Sequence, residues 1–102
     1  DDAEQSVIDK AMAKLADFIK DDVRDKLVIS INYNDAAGGR ADKNGFDIAV
    51  CEDIVKDDVK NQTYVNTMRV LLHEINHIQT RSGDYDRGFA KGYESYLITL
   101  MN

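Results

Sequence analysis

Residues 63–80 read Thr63-Tyr64-Val65-Asn66-Thr67-Met68-Arg69-Val70-Leu71-Leu72-His73-Glu74-Ile75-Asn76-His77-Ile78-Gln79-Thr80. Val65, Met68, Leu71, Leu72, Ile75 and Ile78 recur with a period near 3.6 and share one side of a helical wheel, which predicts an amphipathic helix from about Thr63. His73 and His77 stand one turn apart on that wheel, turned away from Met68, Leu72 and Ile75, so both imidazoles can converge on one ion. Glu74 adjoins the first histidine without sharing its direction. It can reach a water on such an ion from the side instead of ligating. The chain has two histidines and both fall in this His-Glu-x-x-His pattern.

Outward from this helix the period changes. From Ala3 to Val23, Val7, Ile8, Ala11, Met12, Leu15, Phe18, Ile19 and Val23 repeat at three- and four-residue spacing with charges between them, which predicts one amphipathic N-terminal helix. Leu27 to Tyr33 alternates and reads as a strand. Asn34 to Gly45, with Gly38, Gly39 and Gly45 among Asn and Asp residues, reads as a loop. Phe46 to Cys51 alternates again, with Phe46, Ile48 and Val50 on one face. A connection rich in Asp and Lys follows to residue 61, and Lys56-Asp57-Asp58 within it reads as solvated surface. Downstream, Ser82-Gly83-Asp84 breaks the motif helix, and Asp84 or Asp86 can cap a last helix from about Arg87 to Met101 with Phe89, Tyr93, Leu97 and Leu100 as its stripe.

A chain of 102 residues, 43% apolar, has room for one core and one domain, residues 1–102. The elements make an α+β domain: an N-terminal helix, a small sheet of two or three strands, the motif helix and a C-terminal helix. The formal net charge is −6 and the Lys and Arg residues are scattered, so a nucleic-acid partner is not expected. No apolar run approaches the roughly 20 residues that span a bilayer and no signal peptide is visible, which predicts a soluble domain without a membrane partner. The compartment stays open, because a lone Cys51 excludes an intramolecular disulfide and nothing more. The opening Asp1-Asp2-Ala3 reads as a processed form or a domain excised from a longer chain.

Val70, Ile75, Asn76 and Ile78 extend the pattern. A valine or threonine three residues before the first histidine, uncharged internal residues and an apolar residue after the second form the longer signature of the zincin metallopeptidases, which this stretch resembles. Gln79 departs from it, since a hydrophobic residue is usual there. In size and order of elements the chain is similar to the minigluzincins, small gluzincin domains with an active-site helix followed by a helix bearing a ligating glutamate. The resemblance implies Zn2+ held by His73 and His77, with Glu74 as general base and acid in hydrolysis of a peptide or protein substrate. Zinc lowers the pKa of a bound water to ~7, within reach of a carboxylate.

A zinc peptidase needs a third protein ligand. Glu94 is the first choice, because a hairpin turning near Gly83 brings the last helix alongside the histidines, and Glu94 shares a face with Ala90, Leu97 and Met101, where a carboxylate needs a partner. Asp86 is the alternative, since Gly83-Asp84-Tyr85-Asp86 with Phe89 partly resembles the aspzincin motif. Peptide deformylases offer a cysteine ligand, but Cys51 in Ala49-Val50-Cys51-Glu52-Asp53 lacks their surrounding residues and reads as a buried strand cysteine. The resemblance further implies an edge strand that pairs with extended substrate, for which Phe46–Cys51 is the candidate. Tyr85, Tyr93, Tyr96, Arg81 and Arg87 are candidates to stabilise a transition state, with Tyr93 and Tyr96 also reading as core aromatics. The contrasting expectations are a zinc-stabilised or catalytically inactive binding module, and a toxin-like effector protease domain cut from a larger protein.

Overall fold

Asp1 starts the first helix, because its carboxylate accepts the Glu4 N–H at 2.9 Å while the Glu4 side chain reaches back to the chain terminus, a reciprocal capping box. The computed structural model describes residues 1–32, 38–42, 44–83 and 87–101. Its elements run α1 (Asp2–Leu15), α2 (Asp21–Arg24), β1 (Val28–Asn32), β2 (Gly39–Ala41), β3 (Asp47–Cys51), α3 (Glu52–Lys60), α4 (Val65–Thr80) and α5 (Arg87–Met101). The α+β class expected from the periodicities is observed. No helix among the described residues is long and apolar enough to cross a membrane.

The N-terminal apolar stripe extends to Val23 but the helix does not. It stops at Leu15, turns through residues 16–20 and resumes as the single turn α2, with Phe18, Ile19 and Val23 still buried. Side chains hold this break in place. Arg24 donates to the carbonyls of Ala16 and Ile19 at 2.7 and 3.0 Å, while Gln79 of α4 accepts from Lys20 N at 2.7 Å and donates to the Phe18 carbonyl at 3.4 Å. The apolar period could not reveal this, because a tight turn keeps the same side chains inward. The polar Gln79, at odds with the signature, serves these two main-chain groups.

Among the described residues the sheet has three strands in the order β1-β3-β2, with β1 parallel and β2 antiparallel to β3. Register pairs Ile29 with Ile48 and Ile31 with Val50, and Arg40 with Ala49. Part of the expected loop is thus the strand β2. Three residues are too few to display alternation, and Gly39 is there for proximity: a Cβ on it would lie 2.5 Å from Val70 Cγ1 of α4. Residues 33–37 and 43 of the expected strand and loop lie outside the described residues.

The expected Asp- and Lys-rich connection is the helix α3. Val55 is fully buried in it and Ile54 and Val59 partly so. Asp58 was expected on the solvated surface, and this is corrected: it is completely buried, accepting the Thr67 N–H at 2.7 Å and the Asn66 carboxamide at 3.1 Å. Tyr64, at the N-cap of α4, makes no side-chain cap, so a carboxylate from the preceding helix satisfies the orphan donor and complements the positive end of the helix. Charge alone had suggested exposure; a donor-rich helix start explains the burial.

Helix α4 is the spine, packing on α1, α3, α5, β2 and β3, with Leu71 and Ile75 fully buried. The last helix spans the predicted residues, but its stripe differs: Phe89 and Tyr96 are buried and Tyr93 partly so, whereas Leu97 and Leu100 are 57% and 56% exposed. Tyr96 meets Phe18 edge to face at 5.2 Å, and burial, with Tyr64 nearby, raises its phenol above the ordinary value of 10.0. Replacing Asp58 by alanine strands a buried N–H, and Asp58→Ala is expected to lose about 1–3 kcal/mol in urea unfolding. An unchanged midpoint would remove Asp58 as the cap of α4.

Candidate metal centre

His73 and His77 come off the last two turns of α4 with their Nε2 atoms 3.1 Å apart and their rings at 82°. Two nitrogens bound to one zinc at 2.0–2.1 Å with a tetrahedral angle lie about 3.3 Å apart, so the separation suits joint ligation. The Glu74 carboxylate completes the group: one ligand atom from each of His73, Glu74 and His77 lies within 4.8 Å of the others. Among the described residues this is the cluster of His, Cys, Asp or Glu side chains that can hold a metal ion. Glu74 is buried, and the two histidines are half-buried.

The remote ring nitrogens are engaged. Arg81 ends α4 in the left-handed region at φ 49°, which folds the chain back so that the Ser82 carbonyl lies 2.7 Å from His77 Nδ1. A carbonyl only accepts, so His77 Nδ1 carries hydrogen and its Nε2 presents a lone pair to the centre. Thr80 secures this turn, donating to the Asn76 carbonyl at 2.7 Å and meeting the Ser82 hydroxyl. The Arg81 guanidinium lies 5.0 Å from the centre of the Phe46 ring, tying the turn to the start of β3. On the other histidine, the Tyr93 hydroxyl sits 3.1 Å from His73 Nδ1.

Helix α5 delivers Tyr93 and Phe89 together, one turn apart. The Phe89 ring lies 5.0 Å from His73 and 4.4 Å from His77, so it covers both imidazoles. What seats α5 there is Asn76, whose carboxamide is fully buried and donates to the Phe89 carbonyl at 2.8 Å. The carboxamide fits because residue 92 is glycine; a Cβ at Gly92 would overlap it. Asn76 was expected only as an uncharged internal residue. A buried polar side chain needs a partner, and no property of its own helix could name one on α5.

The structure does not bring Glu94 into this group. Glu94 is exposed on α5, and Leu97 and Met101, expected to surround it with apolar contacts, are exposed too. A carboxylate in that setting is hydrated and does not require an ion. Tyr93, one position earlier, is the residue of this turn that meets a histidine. Asp86, with Asp84 and Tyr85, lies outside the described residues. Cys51 is buried at the end of β3 and is not part of the group.

The expectation that Phe46–Cys51 forms a free edge is corrected, because β3 is the middle strand with both sides paired. Among the described residues the edge strand that passes over the motif helix is β2. A Cβ on Gly39 would meet Val70 Cγ1 at 2.5 Å and Glu74 Cγ at 3.4 Å, so Val70, three residues before His73, is the surface on which β2 rests.

Alanine at Gly92 gains about 1 kcal/mol of helix propensity but overpacks the Asn76 carboxamide at a cost of about 1–3 kcal/mol. Gly92→Ala is therefore expected to unfold at lower urea; a net gain in stability would show that the α4–α5 contact is loose. No protein-family model matches the chain, and comparison with curated proteins and with solved structures finds no match for it.

Proposed function

We propose that this domain is a zinc-dependent peptidase of the zincin type, with His73 and His77 as ligands and Glu74 as the proton carrier. The observation that carries the reading is the 3.1 Å approach of two Nε2 atoms with the buried Glu74 carboxylate in the same cluster. Bound there, zinc supplies a Lewis acid for the scissile carbonyl and lowers the pKa of a water to about 7. Glu74 takes the proton of the attacking water and returns it to the leaving amine. The Ser82 carbonyl holds His77 in the ligating tautomer, and Phe89 packs against both imidazoles.

An extended peptide adds to β2, whose Gly39 lies close to Val70 and Glu74 of α4, and main-chain pairing of this kind asks for little sequence. The third ligand on this reading is Asp86, which lies outside the described residues, because Glu94 is exposed on α5 and apart from the His73–Glu74–His77 group.

Glu74→Gln keeps both imidazoles and removes the base, so it is expected to retain one zinc per chain and lose roughly 10²–10⁴-fold in peptide hydrolysis. Full activity in that variant, or absence of metal in the wild type by elemental analysis, would sink the proposal. Zinc stoichiometry of Asp86→Ala and Glu94→Ala is expected to fall in the first and hold in the second. The reverse result reinstates Glu94.

A further inference from the structure

Strand β1 has one bonded side and one open side. The Val28 N–H donates to the Phe46 carbonyl at 3.0 Å, and main-chain groups alternate sides along a strand, so Val28, Ser30 and Asn32 turn theirs toward β3. Ile29 and Ile31 therefore direct their N–H and C=O groups away from β3, where no strand lies among the described residues. The usual guards of such an edge are missing. In a chain that is 31% charged, Val28-Ile29-Ser30-Ile31-Asn32 carries no charge and no proline, and its register with β3 runs without a bulge. Its apolar side chains are incompletely covered as well. Helix α4 packs under β2 and β3, and α3 under β3, so β1 reaches the rim of the helix layer. Ile29 and Ile31 are half-buried there beside Ile48 and Val50, and Val28 is 58% exposed on the opposite face.

We propose that β1 is the dimerisation edge of this domain, pairing antiparallel with β1 of a second copy about a two-fold axis at Ser30. The strand is its own complement in that register. Ile29 stands opposite Ile31 of the second copy, and each such pair exchanges N–H···O=C bonds in both directions, which uses every outward main-chain group of the two residues. Ser30 meets Ser30 of the second copy on the axis as a non-hydrogen-bonded pair. Ile29 and Ile31 of both copies then form one apolar cluster on the helix side of the joined sheet. No charge is set against a like charge, although each chain carries a formal −6. A partner chosen by charge would find nothing on this strand to recognise, whereas a second copy supplies the matching row by symmetry. Strand β2, on the far side of β3 in each copy, stays free. A five-residue edge is small against the ~1,200–2,000 Å² of a stable interface, so the association is weak.

The test uses the full chain in the presence of a chelator, which separates it from any metal held by the histidines. Sedimentation equilibrium of the wild type is expected to show a monomer–dimer equilibrium with half-association at about 10–100 µM. Ser30→Lys sets two ammonium groups against each other at the axis and is expected to weaken dimerisation ~10-fold or more, with little change in the urea midpoint. Ser30→Cys places two thiols across the axis, where Cα atoms of a non-hydrogen-bonded pair lie ~4.5 Å apart, and is expected to form a covalent dimer under oxidised glutathione. Val28→Cys lies on the same face but off the axis, with its thiols about four residues apart, and is expected to stay uncrosslinked. Cys51 is buried and does not compete. A wild type that remains monomeric up to about 1 mM, or a dimer that Ser30→Lys leaves as strong, would overturn the proposal. Equal cross-linking of Ser30→Cys and Val28→Cys would overturn it too, because the axis would then not pass through Ser30. Should Ser30→Lys fold poorly, the wild-type equilibrium and the two cysteine variants decide the matter.

Discussion

The hydrogen bond from the Asn76 carboxamide to the Phe89 carbonyl decides where α5 lies on α4, and both partners that α5 gives the histidines depend on it. Asn76 is fully buried, so its donor has a strong need for that carbonyl, and Gly92 leaves the space that lets the two helices approach. With this contact made, Phe89 lands against both imidazoles and Tyr93 reaches His73 Nδ1. The candidate site thus has an α4 half that carries the two imidazoles and an α5 half that packs against both. Beyond Tyr96 the helix leaves its apolar residues exposed.

The other end of the motif is organised by its own helix stop. His77 lies in the last turn of α4, where unpaired carbonyls give a partial negative charge that favours a cation. The left-handed Arg81 turns one further carbonyl, that of Ser82, onto the His77 ring instead of releasing it to water. Gln79, between these groups, faces the opposite way and holds the α1–α2 turn. Adjacent residues of one helix therefore serve the core, the histidine cluster and a neighbouring turn, which is why α4 is buried on most of its circumference.

Strand β2 and Asp58 illustrate how the site is placed without contributing to its chemistry. Asp58 fixes the start of α4 from α3, and β2 fixes the sheet against its middle through Gly39 and Val70. Glu74 is buried close to that strand, so the contact that joins sheet to helix also sets the surroundings of this carboxylate.

By itself the sequence determined the elements whose periodicity is long: α4 with its two histidines and Glu74, most of α1, the alternating strands and the span of α5. Those signals are local, because a side chain's position along its own helix or strand depends on nearby spacing alone. The pairing of β3 on both sides, the strand at Gly39, the burial of Asp58 and the job of Gln79 were decided only in three dimensions. Each depends on a partner distant in the chain, as Gln79 on Lys20 and Asn76 on Phe89. Glu94 and Tyr93 make the same point within the centre. Helical spacing gives both a place on α5, but which one meets a histidine follows from the rotation of α5 on α4, set by a buried carboxamide and the absence of a Cβ at residue 92.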